Sequence, residues 1–152
     1  MSKYHQGKYN PENPKKYKGK LNDIVYRSGY EKKAFLWCDR NPKVLSWNSE
    51  EVVVPYFHKA SRKKRRYFID LLIEYQHNDG SISMYLCEIK PANQTVEPKP
   101  PRNKTAKAMK NFAYKMLTYR QNQDKWEAAR QFAAKKGMQF IILTEKELGI
   151  KR

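Results

Sequence analysis

The chain has 152 residues, enough for one domain whose core closes without disulfide staples. Lys and Arg number 32 against 15 Asp and Glu, a formal charge of +17, so the first expected partner is a polyanion. No apolar run approaches the roughly 18 residues a membrane span needs, and the N-terminus lacks a signal-peptide core; together these exclude a membrane partner and point to the cytoplasm. Cys38 and Cys87 are too few for a four-ligand zinc site and read as small core hydrophobes in a reducing compartment.

Residues 1 to 23 mix Lys, Tyr, Asn, Pro and Gly with almost no aliphatic residue. They read as a basic arm preceding a domain over residues 24 to 152. Ser28 stands three before Glu31, and Asn41-Pro42 follows, so a capped helix is expected near 29 to 40. Val44 to Trp47 and Glu51 to Phe57 are short β-prone runs, and five consecutive cations, Arg62 to Arg66, close the stretch KASRKKRR. YFIDLLIEYQ and SISMYLCEIK then read as two long strands joined at Asn78-Asp79-Gly80. After a proline-punctuated loop, one helix is expected from Thr105 to Arg120, with Met109, Phe112, Ala113 and Met116 as its core stripe. A second runs from Asp124, an N-cap, to Lys136, closed by Gly137. MQFIILT is a buried strand that returns through the helical crossover and pairs parallel with an earlier one. The fold class is α/β or α+β, a central mixed sheet with helices.

LCEIK sets an acid and a base, Glu88 and Lys90, on one face of a core strand together with Leu86. A three-residue loop with Gly80 in the left-handed position pairs His77 with Ser81 and sets Asp70 opposite Glu88. A two-residue loop sets Asp70 opposite Ile89, facing the other way. In the first register the two carboxylates repel unless a cation lies between them, and Mg²⁺, with carboxylate and water ligands, resolves the conflict. The plainer reading of Glu88 and Lys90 is a surface ion pair at a strand end, worth under about 1 kcal/mol. Glu31 lies on the apolar seam of its helix with Ala34, Phe35 and Cys38; it completes the capping box, faces the core edge, or does both.

Glu31 on a first helix, Asp70 on a strand and Glu88-x-Lys90 on the next resemble the PD-(D/E)XK nuclease superfamily, in its branch of transposon-end and very-short-patch-repair endonucleases. SGYEKKAFLWCDRNPKVLSWNSEEVVVPYF, FIDLLIE and CEIKPANQT look most like the head-completion nucleases of tailed bacteriophages, over roughly Ile24 to Leu143. The resemblance implies a restriction-endonuclease-like sheet and a Mg²⁺ ion, replaceable by Mn²⁺, held by Asp70, Glu88 and the backbone carbonyl of Ile89. It also implies water activation by Lys90 and support from Glu31. It further implies hydrolysis of double-stranded DNA or DNA ends with little sequence preference, in a bacterial host, with phage capsid or portal proteins as partners. The motif proline is replaced by Ile69, which removes no ligand.

Arg62, Lys63, Lys64, Arg65 and Arg66 are expected to contact DNA at the catalytic end of the hairpin. Lys104, Lys107 and Lys110, at helical spacing, are expected to share a face bordering the same site. Tyr4, Tyr9 and Tyr17 are candidates for stacking on bases or docking on a protein. His5, His58 and His77 show no ligand spacing. A non-catalytic DNA-binding capsid component fits the composition equally well.

Overall fold

The computed structural model describes residues 6–150. Its centre is a four-stranded sheet in the order β3-β6-β7-β8, from Val44–Asn48, Leu71–Gln76, Ile82–Ile89 and Gln139–Leu143. The first three are antiparallel neighbours, and β8 joins β7 in parallel, as its return through a helix requires. A ribbon of β4 (Val53–His58) and β5 (Lys63–Phe68) stands apart from this sheet, and β1 (Gly7–Lys8) pairs with β2 (Val25–Tyr26).

Alternation along the strands divides the core in two. Leu71, Ile73, Cys87, Ile89 and Leu143 face helix α1 (Gly29–Arg40), while Leu86, Leu72, Phe140 and Ile142 face helix α2 (Ala106–Lys135) and the ribbon. By the same parity Asp70, Glu88 and Lys90 belong to the ribbon side. Helix α1 starts where expected, because Ser28 Oγ accepts the Glu31 N–H at 3.1 Å. Cys38 and Cys87 are free thiols buried in the α1 layer. A short helix, α3 (Glu145–Leu148), ends the described chain with its own capping box.

Four expectations are corrected. The residues read as an arm are instead a packed layer from Gly7 onward: Tyr9 and Tyr17 are each 6% exposed and meet Trp47 edge-on. They are therefore core, not stacking platforms; Tyr4 and His5 lie outside the described residues. Their backbone is anchored to α1, where Asp39 accepts from the Tyr9 hydroxyl and the Glu12 and Asn13 N–H groups, and Lys16 Nζ donates to the carbonyls of Cys38, Asp39 and Asn41. Lys16 thereby caps the negative end of the helix.

Second, the two expected helices are one. Gln121-Asn122-Gln123 contains no breaker, and Asp124 accepts a bond from the Lys59 N–H instead of capping a new start. The helix stops at a Schellman arrangement in which Gly137, at φ +69°, lets the Met138 N–H reach the Ala133 carbonyl at 2.8 Å.

Third, the supposed core stripe of α2 is not core. Burial begins at Asn122 and continues through Trp126, Ala129 and Ala133, whereas Met109 is 39% and Leu117 55% exposed, Ala113 is exposed, and Phe112 and Met116 are half-buried. The first half of the helix projects past the sheet. Fourth, YFIDLLIEYQ is two strands, with a bend at Ile69-Asp70 separating β5 from β6.

Candidate active site

That bend brings the chemistry together. The hairpin loop is the three-residue one: His77 N–H donates to Ser81 O at 2.8 Å, Gly80 N–H to His77 O at 2.9 Å, and Gly80 has φ +89°. The register pairs Leu71 with Cys87 and Leu72 with Leu86, so its continuation sets Asp70 against Glu88. Asp70 Oδ2 accepts the Ile89 N–H at 2.8 Å, which holds its carboxyl across the ladder at the end of β7. The alternative register is excluded.

Two acids side by side in a crowded recess oppose each other's ionisation. Burial, reinforced by the charge of Glu88 and more distantly Glu31, drives the Asp70 carboxyl well above the usual range, against the lowering effects of the Ile89 N–H and Lys90. Glu88, 7% exposed, accepts a short hydrogen bond from the Tyr67 hydroxyl at Oε1. Its Oε2 lies 3.4 Å from Lys90 Nζ. Burial and then the Glu88 charge push the Tyr67 hydroxyl upward, so it stays a donor. Lys125, on α2, sits 5.5 Å above the Tyr67 ring.

Glu31 closes the cluster from the other layer. Its Oε1 accepts from the Arg27 N–H at 3.2 Å, one residue earlier than the capping-box partner expected from the sequence. Burial raises its pKa against the pull of Arg27. Arg27 also pairs with Glu50 at 2.7 Å. Glu50 adopts φ +57°, a conformation that strains a residue with a side chain by roughly 1–3 kcal/mol, and its N–H bonds the Ile69 carbonyl beside Asp70. Arg27, Glu50 and Tyr67 are the members that sequence reasoning missed. Tyr67 alone left a signal, the first of two aromatics ending an otherwise cationic strand.

The donor set suits a hard divalent cation. Asp70 and Glu88 offer carboxylate oxygens on one face, and Mg²⁺ characteristically takes one or two carboxylates while keeping waters. Among the described residues no group of three or more His, Cys, Asp or Glu is gathered to hold an ion unaided. A two-carboxylate hydrated ion is therefore the compatible form.

The cations are distributed unevenly. Arg62 to Arg66 are all exposed and run away from the site along β5, from Arg66, next to Tyr67, to Lys63 about 10 Å farther. On the outer face of the ribbon Lys64 and Arg66 alternate with exposed Phe57 (51%) and Phe68 (44%). Lys104, Lys107 and Lys110 are exposed but do not border the acids; Lys110 lies about 22 Å along the helix from Lys125. His58 is occupied with Ser61, and His77 with Ser83, away from the acids.

The sequence matches the TnsA-like endonuclease N-terminal family over residues 41–145. It is also 43% identical over 144 residues to the head completion nuclease of Enterobacteria phage T4, covering 95% of this chain and 93% of that protein. No solved structure matches significantly.

Proposed function

This chain belongs to the TnsA-like endonuclease N-terminal family, and from that premise we propose that it is a metal-dependent DNA endonuclease of the PD-(D/E)XK kind, with little sequence preference, acting in the completion of DNA-filled phage heads. The observation that carries the reading is the facing pair Asp70 and Glu88, with Lys90 Nζ 3.4 Å from the Glu88 carboxylate. Likeness to the T4 head completion nuclease supports the biological setting, and the proposal extends to capsid or portal proteins as partners.

Asp70 and Glu88 would hold Mg²⁺, Mn²⁺ substituting, with the Ile89 carbonyl as a further ligand. When bound, the ion supplies charge stabilisation at the scissile phosphate and acidifies water. The protein's own groups do the positioning. The Ile89 N–H fixes one Asp70 oxygen, and the Tyr67 hydroxyl fixes Glu88 Oε1 and turns Oε2 toward Lys90. The Lys90 ammonium orients the attacking water and balances the charge left beside it. Glu31 supports the cluster from α1, with Arg27 limiting its repulsion of Asp70. Lys64 and Arg66 on the ribbon and the cations of α2 bind backbone phosphates, an interaction blind to sequence and weakened by salt.

Plasmid DNA is the test substrate. The wild-type chain nicks or cuts it with Mg²⁺ or Mn²⁺, EDTA stops the reaction, and Asp70→Ala and Lys90→Ala abolish it. Undiminished cutting by either variant rejects the site. Absence of cutting by wild type with either metal leaves a DNA-binding assembly component in its place.

A further inference from the structure

The loop that follows Lys90 and the middle of α2 line an open recess of about 430 Å³. That volume falls within the roughly 300–1,000 Å³ of small-ligand sites. Both walls lead along the chain to the proposed site. Asn93 is three residues beyond Lys90, so their Cα atoms are at most about 11 Å apart. Asn122 is three residues before Lys125, which covers the Tyr67 ring bonded to Glu88.

The lining combines three chemistries. Tyr114 and Tyr119 offer ring faces, Asn93 and Asn122 offer amides that both donate and accept, and Lys99 and Lys115 supply cations. No acid lines the recess, and from Asn93 to Gln123 the chain carries seven cations against the single acid Glu97, so the wall is complementary to a polyanion and not to a basic peptide. Tyr114 is 72% exposed at the rim. A stacked ring, a hydrogen-bonded edge and an adjacent phosphate are the parts of a nucleotide.

We infer that this recess receives one unpaired deoxynucleotide of the DNA strand and so directs the enzyme to strand ends, gaps or flaps in preference to intact duplex. The inference rests on the nuclease reading above and names its substrate geometry. A base inside a duplex must first be unstacked and unpaired before it can enter such a recess; a base already free spares that energy. Tyr114 and Tyr119 stack on it without regard to its identity, consistent with an enzyme that does not read sequence.

The experiment measures binding of the full-length Asp70→Asn chain, which holds DNA without cutting it. The probes are a blunt duplex and the same duplex with a three-nucleotide single-stranded overhang, followed by fluorescence anisotropy at fixed salt. The overhang duplex binds about tenfold more tightly, and adding Tyr114→Ala or Tyr119→Ala brings that ratio close to one while blunt-duplex affinity changes less than twofold. Tyr114→Ala is the safer variant for folding because the ring is exposed, and Tyr119→Phe keeps the ratio. Equal affinities for the two probes, or a ratio untouched by both alanine variants, overturn the inference. Plasmid cutting by wild type separates the two readings. Cutting without overhang preference removes the recess alone, whereas a tyrosine-dependent preference without cutting keeps the recess and removes the nuclease.

Discussion

Asp39 and Asp70 are both acids enclosed by the fold, and they are treated in opposite ways. Burial alone would raise Asp39, but the Tyr9 hydroxyl and the Glu12 and Asn13 N–H groups outweigh it and hold the carboxyl below its ordinary range. Asp70 has one N–H donor and two acidic neighbours, and it rises. An acid that the fold uses is surrounded by donors; the acid we propose to work on DNA is left under-compensated, as suits a carboxylate that takes a cation. The contrast separates a structural carboxylate from the one proposed to work.

The largest effect expected is on turnover. Asp70→Ala lowers plasmid cutting by about a thousandfold, measured as initial nicking rate with Mg²⁺. Asp70→Asn does the same to the rate yet makes the metal-free fold more stable by about 1 kcal/mol, a rise in Tm of roughly 2–4 °C, because it removes repulsion against Glu88 and keeps an acceptor for the Ile89 N–H. A fall in Tm would erase the distinction between the two acids.

Asp39→Ala reverses that pattern. It orphans three donors and costs about 3 kcal/mol, a Tm loss of roughly 6–12 °C, while the specific activity of the protein still folded stays within about twofold of wild type. The pH dependence has a definite sign. Because the folded pKa of Asp39 is depressed, its contribution is complete above the unfolded value near 3.9 and is lost as pH falls below that value through the folded one. Chemical denaturation of wild type between pH 5 and pH 2.5 therefore shows a loss of stability that Asp39→Asn lacks. Lys16→Met removes the cation from three helix-end carbonyls and costs about 1–2 kcal/mol by the same measurement. Smallest of all, Met109→Glu on the projecting half of α2 changes stability by under about 0.5 kcal/mol; a core methionine would lose several times more.

What the sequence disclosed was local. The Ser28 cap and the Gly137 stop are each set by neighbouring residues, the parallel last strand follows from the helix that precedes it, and the structure has all three. The facing of Asp70 and Glu88 follows from the turn, which left two registers open until the loop geometry decided between them. The misreadings are tertiary. Tyr9 and Tyr17 look like arm residues until Trp47 and Asp39, some thirty positions away, provide a seat for them. The Met109 to Met116 stripe has helical period, but periodicity marks an apolar face without saying that anything covers it. The bend at Ile69-Asp70 carries no Gly or Pro to announce it, although it is the feature that sends Tyr67 to Glu88.

The hairpin loop also sets the parity of everything downstream in β7. With Asn78, Asp79 and Gly80 all in the loop, His77 faces Ser81, and that register brings Glu88 and Lys90 to the side where Asp70 waits. Slip that pairing by one residue, as a two-residue Asp79-Gly80 loop would, and a strand of unchanged composition turns over, sending both groups into the α1 layer and Cys87 out of it. The reaction would vanish from a protein in which every reacting residue is still encoded.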